Sequence, residues 1–411
     1  MTKKIVITGI GATSPLGGTA PETWSALLAG ESGARTLEQA WVAETQIPIT
    51  FAAQAKILPA DVLERFETKR LDPSSQFALI AGREAWADAG APEVEPERLA
   101  VDWSTGIGGV WTLLDAWDTL RERGPRRVLP MTVPMLMPNG PGAAIGMDLH
   151  ARAGITTVVS ACASSTEALV NAYNRLQAGL ADVVIAGGSE AAIHPLPIAS
   201  FAAMQALSKR NDDPATASRP YDISRDGFVL GEGAAALVIE TEEHAKARGA
   251  RIYAELLGGS ITSDAYHITA PDPEGSAAAR AMLTTIENSG ASLADVTHIN
   301  AHATSTPVGD IAEYNALRRV FGDLLDGIPV SATKASTGHL LGGAGAIEAL
   351  FTVKALHERL APPTINLTEQ DPDIPLDVVT TPRALPAGDL LAISNSFGFG
   401  GHNAVVAFRS V

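Results

Sequence analysis

Two stretches of the chain follow the same plan. The first is ITTVVSACASSTEALVNAYNRL (155–176), and the second is IPVSATKASTGHLLGGAGAIEALFTVKAL (328–356). Each begins with a short β-branched run, passes through Ser-Ala and a turn of small residues, and ends in an Ala-rich helical segment that contains Glu-Ala-Leu. Strand, turn and helix in this order are typical of α/β folds. This similarity between the two stretches predicts two similar α/β halves, 1–255 and 256–411, whose turns face one cleft.

The remainder of the sequence alternates in the same way between short β-branched runs and longer segments with helical spacing of apolar residues. The predicted strands are 4–8, 155–160, 182–187, 235–240, 296–300, 329–333, 390–394 and 404–408. The predicted helices are 75–90, 164–178, 278–290, 311–321 and 343–358. This alternation indicates an α/β protein with largely buried strands.

Composition excludes several classes of protein. Of the 411 residues, 46% are apolar and 18% are charged, a balance typical of a globular fold. Thirty Lys and Arg against 46 Asp and Glu give a net charge of −16, which argues against a broad nucleic-acid-binding face. The single cysteine excludes an intrachain disulfide and predicts a reducing, cytoplasmic location. No apolar run is long enough for a membrane span, and the run at 5–9 is too short for a signal peptide.

The single cysteine, Cys162, lies between a predicted strand and a predicted helix. Unpaired N–H groups and the helix dipole at such a position favour the thiolate, and a sharp strand-to-helix turn exposes a nucleophile. The alternative is a buried structural cysteine. Two histidines favour the catalytic interpretation: His302 ends a strand in NAHATSTPVGD (300–310), and His339 follows Lys334 in the second stretch. Histidine is suited to proton transfer or to neutral hydrogen-bond donation near neutral pH.

Three other interpretations of these residues are weaker. Zinc ligation by Cys162 with His302, His339 or His402 has no CxxC or HxxxH spacing behind it. A dinucleotide site at Gly9-Ile10-Gly11 lacks the third glycine, since Ser14 stands in its place. A thiol hydrolase needs one histidine and has no evident use for a second histidine and a lysine.

Four motifs together resemble the β-ketoacyl-acyl carrier protein synthases, specifically the type II synthases of fatty acid synthesis in their actinobacterial style. These motifs are VSACASSTEAL (159–169), NAHATSTPVGD (300–310), KASTGHLLGGAGAIEA (334–349) and NSFGFGGHN (395–403). The resemblance extends from GIGATSPLG (9–17) through SRPYDISRDGFVLGEGA (218–234) to the last predicted strand. One departure is that Ala303 and Ser305 stand where many relatives have glycine, which affects the expected pantetheine contacts.

The resemblance implies a thiolase-like fold, with two similar α/β halves related by a pseudo-dyad and mixed five-stranded sheets with helices in layers. It implies an acyltransferase: an acyl chain moves from acyl carrier protein to Cys162, malonyl carrier protein loses CO₂, and the resulting carbanion attacks the acyl thioester. It also implies a homodimer with no redox or nucleotide cofactor. The sequence assigns no metal ligand and leaves open whether a structural cation lies near the active site. Related alternatives are a ketosynthase of a type II polyketide system and a mycolate-type elongation enzyme. A non-catalytic chain-length subunit would not require the thiol and both histidines.

The resemblance also assigns roles to particular residues. His302 and His339 hold the enolate formed on decarboxylation, and the backbone N–H groups of Cys162 and Phe399 form an oxyanion hole. The remaining catalytic residues are Lys334 and Glu348, expected as an ion pair. The expected substrate contacts are Thr304 and Thr306 on the pantetheine arm, Phe399 as a gate, and Ile107 and Phe201 on the acyl chain. Because acyl carrier protein is acidic, the expected docking residues are basic, and they are Arg65, Lys69, Arg70, Arg126 and Arg127.

Overall fold

The computed structural model describes residues 3–411, and its centre is a ten-stranded mixed sheet. The strands of this part of the chain are β1 (Ile5–Thr13), β2 (Arg35–Thr36), β3 (Phe51–Ala52), β4 (Leu99–Ser104), β5 (Ile155–Thr156), β6 (Val183–Glu190), β7 (Gly233–Thr241), β8 (Ala254–Ser263), β9 (Val296–Asn300), β10 (Val330–Ser331), β11 (Leu360–Ala361), β12 (Arg383–Ala384), β13 (Leu391–Gly398) and β14 (His402–Arg409). Two short pairs, β2 with β3 and β11 with β12, lie outside the central sheet.

The α-helices surround this sheet. Within residues 3–411 they are α1 (Ala20–Leu28), α2 (Ala40–Thr45), α3 (Arg65–Thr68), α4 (Pro73–Asp88), α5 (Val110–Arg123), α6 (Thr132–Leu136), α7 (Gly140–Asp148), α8 (Ser164–Gln177), α9 (Pro195–Ala203), α10 (Glu242–Ala247), α11 (Ser276–Asn288), α12 (Pro307–Phe321), α13 (Lys334–Thr337) and α14 (Ala344–Glu358). None of them combines the length and the apolar character that a membrane crossing needs.

The ten-stranded sheet consists of two five-stranded halves with the same plan. The strand order of the first half is β1-β7-β6-β4-β5, and that of the second is β8-β14-β13-β9-β10. In each half the first two pairings are antiparallel and the last two are parallel. The echo in the sequence therefore reflects a repeated topology, and the fold is α/β and thiolase-like.

The two halves join where β1 pairs antiparallel with β8. Three residue pairs form this junction, Ile5 with Leu256, Val6 with Glu255, and Ile7 with Ala254. The predicted pair of five-stranded sheets is therefore one continuous sheet of ten strands. Residue 255 is the second residue of β8, where the second half begins, and the division at 255 stays a prediction.

The sheet curves around a central pair of helices, α8 and α14. In β6, Val184 and Ala186 share a core with these two helices, whereas Val183 and Ile185 face α4 and its neighbours. The second half alternates likewise: Ala392 joins the central core, and Ile393 packs with α11 and α12. The period of two along each strand thus produces a layered order of helix, sheet, central helices, sheet and helix. Helices α8 and α14, which begin next to the turns that carry Cys162 and His339, form the middle layer.

Within residues 3–411, sequence patterns located eight of the ten strands of the central sheet and five of the fourteen α-helices, and three of the differences in the strands have physical causes. The predicted strand 155–160 pairs only at Ile155–Thr156, because the chain then leaves the sheet edge and turns toward Cys162. Strand β4 was not predicted, since Asp102 interrupts its apolar run; that carboxylate is buried and paired with Arg175. Strand β8 was not predicted because it contains Gly258 and Gly259, two residues disfavoured in strands.

Candidate active site

A cavity of about 810 Å³ lies where the turns of the two halves meet. Its wall includes three predicted catalytic residues, Cys162, His302 and His339. The predicted substrate-contact residues Thr304, Thr306, Ile107, Phe201 and Phe399 also line it. Lys334 and Glu348 are buried behind this wall. The structure therefore brings the predicted catalytic and substrate-binding residues together at one place.

The turn that carries Cys162 is tight and locally strained. Cys162 is the middle residue of a one-turn 3₁₀ helix, Ala161–Ala163, directly before α8. Ala161 has φ +50°, a left-handed conformation that is uncommon for a residue with a side chain. The turn at Gly398 approaches so closely that a Cβ on that residue would lie 2.8 Å from the carbonyl oxygen of Ser160. Glycine at 398 allows the Phe399 backbone to reach the nucleophile.

Two backbone N–H groups, those of Phe399 and of Cys162 itself, lie near the Cys162 sulfur, where both act to lower the pKa of the thiol. They are the pair expected to form the oxyanion hole. Burial raises the pKa of the Cys162 thiol to about 11, and the charge of Lys334 and these two N–H groups oppose the rise only in part. The backbone N–H groups at this turn favour the thiolate, as expected, but burial outweighs them in the resting protein. At neutral pH the thiol of the resting protein therefore carries its proton.

This raised pKa predicts how Cys162 reacts with a small alkylating agent. Since only the thiolate reacts, the rate with iodoacetamide should rise about ten-fold per pH unit from about pH 7 to about pH 9, without a plateau. The measurement is the alkylation rate of Cys162 by mass spectrometry, with glutathione as the control thiol. A plateau below about pH 8 would show that the site stabilises the thiolate.

His302 lies just after β9, and Lys334 contacts both its ring and its backbone. The Lys334 ammonium donates to the His302 carbonyl oxygen at 2.6 Å and lies 3.3 Å from Nδ1 of the same residue. A cation beside Nδ1 leaves that nitrogen as an acceptor, so the ring proton resides on Nε2. Burial and the positive charge of Lys334 both hold the pKa of His302 well below its usual range. His302 is therefore a neutral imidazole with an N–H to donate.

His339 lies beside His302 with a ring-centroid separation of 5.5 Å and an interplanar angle of 84°. Among the described residues, neither of its ring nitrogens has a hydrogen-bond partner, although the side chain is buried. Burial, followed by the charge of Lys334, lowers the pKa of His339 well below its usual range. Unpartnered polar atoms of this kind are costly unless a ligand satisfies them. The site thus offers a second neutral imidazole to a substrate.

Residues that the sequence analysis missed hold the loop after His302. Glu313 on α12 accepts hydrogen bonds from the backbone N–H groups of His302 at 2.9 Å and Ala303 at 2.7 Å. Asn395 donates to the same carboxylate at 3.1 Å. Lys334 also pairs with Glu348, as expected from the resemblance. A signal was present in the sequence: Asp310 and Glu313 stand at i, i+3 on a helix that begins at Pro307, five residues after His302.

The loop after His302 contains two residues in place of the expected glycines. Ala303 has φ +25° and Ser305 has φ +69°, so both occupy the conformational region that favours glycine. Ser305 is fixed there, because its hydroxyl accepts a hydrogen bond from the Arg219 backbone at 2.9 Å and its N–H donates to Asp310 at 3.1 Å. The departure from the family pattern therefore leaves the loop in its tight form.

The five predicted docking residues do not line the cavity. Arg65, Lys69 and Arg70 are exposed on and just after α3, and Arg126 and Arg127 are exposed after α5. A basic residue that sequence reasoning missed, Lys209, is exposed and lines the cavity itself. Nothing in its local sequence distinguished it from an ordinary surface lysine.

The sequence is similar to those of known β-ketoacyl synthases over nearly its whole length. The N-terminal domain of the β-ketoacyl synthases matches residues 2–245, and their C-terminal domain matches residues 253–368. The 3-oxoacyl-[acyl-carrier-protein] synthase 2 of Mycobacterium bovis is 46% identical over 406 residues, which are 98% of this chain and 96% of that protein. The protein of the same name from Staphylococcus aureus is 43% identical over 410 residues, 99% of this chain and 98% of that one.

Solved structures show the same fold over the whole chain. A β-ketoacyl synthase from Burkholderia phymatum superposes with a TM-score of 0.91 at 36% identity, covering 100% of both chains. A type II polyketide ketosynthase, bound to a hexaketide and in complex with its acyl-carrier protein, superposes with a TM-score of 0.92 at 31% identity, also over 100% of both chains. Together with the two domain matches, these likenesses show that the chain belongs to the β-ketoacyl synthase family of condensing acyltransferases.

Proposed function

We propose that this protein is a 3-oxoacyl-acyl carrier protein synthase of type II, which lengthens an acyl chain by decarboxylative Claisen condensation with malonyl-acyl carrier protein. One observation carries the proposal: a single thiol and two neutral imidazoles face one cavity, beside two backbone N–H groups. Fatty acid elongation is favoured because the curated relatives from Mycobacterium bovis and Staphylococcus aureus bear the name of such a synthase.

In the first step, the sulfur of Cys162 attacks the acyl thioester of the carrier protein. A new C–S bond forms, the bond to the pantetheine sulfur breaks, and the proton of the Cys162 thiol ends on the departing pantetheine thiol. The N–H groups of Cys162 and Phe399 stabilise the negative charge that develops on the carbonyl oxygen. Because these donors are fixed by the backbone, little reorganisation is needed when the charge appears.

In the second step, malonyl-acyl carrier protein loses CO₂, and the electron pair of the broken C–C bond passes to an enolate of the thioester. This step requires no base, since no C–H proton is removed. Its barrier comes from the charge on the enolate oxygen, which neutral N–H donors of His302 and His339 stabilise in the transition state. The enolate carbon then attacks the acyl group on Cys162, forms the new C–C bond, and expels the Cys162 sulfur as a thiolate, which takes up a proton from solvent to restore the thiol.

The experiment that tests the proposal is incubation with acyl carrier proteins loaded with chains of different lengths, together with malonyl-acyl carrier protein. Mass spectrometry should find a β-ketoacyl product two carbons longer than each accepted substrate, released after one condensation. A product with several unreduced ketone groups would favour the polyketide alternative, which the likeness to the hexaketide-bound ketosynthase supports. Free acid without a lengthened chain would contradict the proposal.

Docking of acyl carrier protein is part of the proposal, because the carrier is acidic and this protein has a net charge of −16. Binding of the acidic carrier protein to this acidic protein therefore requires a local surface of basic residues. The exposed residues Arg65, Lys69 and Arg70 provide one candidate surface, and Arg126 with Arg127 another. The similar polyketide ketosynthase was solved in complex with its carrier protein, which supports such docking.

Reversing the charge of Lys69 and Arg70 to Glu should raise KM for acyl carrier protein about ten-fold, while kcat with a small acyl-pantetheine stays nearly unchanged. Steady-state kinetics with both substrates measures the difference. The wild-type KM for the carrier should rise with salt above about 0.15 M, where the Debye length falls below about 8 Å. A charge-matched control reverses Lys246 and Arg280, which are exposed residues on α10 and α11. An equal effect of both double reversals would place docking elsewhere.

A homodimer and a cytoplasmic location complete the proposal. Strand β5 ends the central sheet, so one of its edges has no strand beside it within residues 3–411. Large apolar side chains of this edge and of α5 are exposed, among them Ile155, Leu113 and Trp117. An apolar face beside a free sheet edge is a typical surface for pairing with a second copy of the chain.

A further inference from the structure

Glu190 is a completely buried carboxylate that the mechanism above does not use. It ends strand β6, and its four hydrogen-bond donors are three backbone N–H groups and one hydroxyl. Burial raises the pKa of Glu190 to about 7 although its donors oppose the rise, and its ionised form in turn raises the pKa of the Cys162 thiol. A buried carboxylate satisfied by neutral donors so near a catalytic residue calls for an explanation.

Three of the four donors belong to the turn Thr105–Ile107, which follows β4. The N–H of Gly106 lies 2.7 Å from Oε2, the N–H of Ile107 lies 3.2 Å from Oε1, and the Thr105 hydroxyl lies 2.9 Å from Oε1. The fourth donor is the N–H of Gly342, 3.0 Å from Oε2. Gly342 lies in the one-turn 3₁₀ helix Leu341–Gly343, which begins two residues after His339. One carboxylate therefore joins two turns that are distant in the sequence.

The two turns meet backbone against backbone. A Cβ on Gly342 would lie 2.0 Å from the nitrogen of Gly106, and a Cβ on Gly106 would lie 2.7 Å from Oε2 of Glu190. Leu341, between His339 and Gly342, has φ +46°, a conformation that needs support from its surroundings. The Glu190 carboxylate is the polar group that both turns share, so it supplies such support.

Both turns form walls of the catalytic cavity. Gly106 and Ile107 line it on one turn, and His339 and Leu341 line it around the other. We propose that Glu190 is a positioning residue for condensation: by holding the Thr105–Ile107 turn against the Leu341–Gly343 turn, it fixes the acyl-binding wall and His339 in one geometry. The proposal rests on the proposed function and names a residue outside the expected catalytic set.

A purely structural role predicts a different outcome, and the chain offers a matched control. Glu84 on α4 is a carboxylate, partly rather than completely buried, that likewise joins two segments, since it accepts from the N–H groups of Ala12 at 2.7 Å and Ala20 at 2.9 Å. Neither segment lines the cavity. Glu84→Gln should therefore lower the melting temperature and leave the balance between the partial reactions unchanged.

The test compares Glu190→Gln with Glu84→Gln in three assays. The amide keeps the volume of Glu190 but places an NH₂ either against the N–H groups of Gly106 and Gly342 or against that of Ile107, so it weakens the link between the two turns. Decarboxylation of malonyl-acyl carrier protein should fall about ten-fold or more, while transfer of a short acyl chain to Cys162 stays within about three-fold of wild type. The ratio of rates for long and short acyl chains should also change, because Ile107 is no longer fixed.

Two further variants keep the test decisive if Glu190→Gln does not fold. Glu190→Asp retains the carboxylate but is one methylene shorter, so it cannot reach both turns. It should lose decarboxylation and keep acyl transfer, as Glu190→Gln does. Thr105→Val removes only one donor and should show a smaller loss with the same split. Full activity of Glu190→Asp, or equal partial-reaction ratios in Glu190→Gln and Glu84→Gln, would overturn the positioning role. Absence of condensation by the wild-type protein would instead refute the proposed function.

Discussion

Cys162→Ala should abolish condensation, with a loss of about 10⁴-fold or more. The physical reason is that Cys162 is the chain's only thiol and faces both the oxyanion N–H groups and the cavity. Without it, the acyl chain has no covalent attachment site. Decarboxylation of malonyl-acyl carrier protein should continue, because His302 and His339 remain, and the enolate is then protonated to an acetyl group.

The measurement for this variant has two parts. The β-ketoacyl product is quantified by mass spectrometry, and CO₂ release is followed with carboxyl-labelled malonyl carrier protein. Cys162→Ser is a useful comparison, since it keeps a weaker nucleophile at the same position. A rate of condensation near wild type in Cys162→Ala would remove Cys162 from the role of nucleophile.

His302→Ala should have the opposite effect on the two partial reactions: acyl transfer is kept and decarboxylation is lost. Acyl transfer to Cys162 should proceed, whereas decarboxylation should fall about 10²- to 10³-fold, the usual effect of removing one donor from an oxyanion site. The ring of His302 is neutral and its Nε2–H is free to donate, because Lys334 occupies the Nδ1 side. Removing it takes a donor from the enolate and leaves the oxyanion hole of acyl transfer in place.

The appropriate assay pairs acyl-enzyme formation, detected as the mass of the intact protein, with CO₂ release. His298→Ala serves as the control, because His298 is a buried histidine of β9 that bonds to Ser331 and does not line the cavity. It should lower stability without changing the ratio of the two half-reactions. Normal CO₂ release from His302→Ala would assign the enolate to other donors.

Local sequence patterns were sufficient to predict the catalytic turns. The strand, the small-residue turn and the helix around Cys162 lie within one short stretch, and the same holds for Lys334 and His339. Their meeting in one cavity follows from the repeated strand order of the two halves, which the echo in the sequence predicted. The short ladder between β1 and β8, which makes the two sheets continuous, had no local signal.

Contacts across long sequence distances were not predictable in this way. Glu190 bonds to Gly106 and Gly342, which are 84 and 152 residues away, and nothing in its own neighbourhood marks it. The pKa of the Cys162 thiol was predictable only in part for a related reason. A helix N-terminus is visible in the sequence, but the burial that raises the pKa of the thiol depends on the whole fold.

The central claim is that Cys162 carries the acyl chain and that neutral histidines then drive decarboxylation beside it. The most direct measurement loads the protein with an acyl chain from acyl carrier protein, locates the added mass in a peptide digest, and then adds malonyl-acyl carrier protein labelled at the methylene carbon. We predict that the acyl mass lies on Cys162, that it disappears after malonyl addition, and that the labelled product is two carbons longer with one CO₂ released per chain. An acyl group on another residue, or its release as free acid without chain extension, would contradict the account.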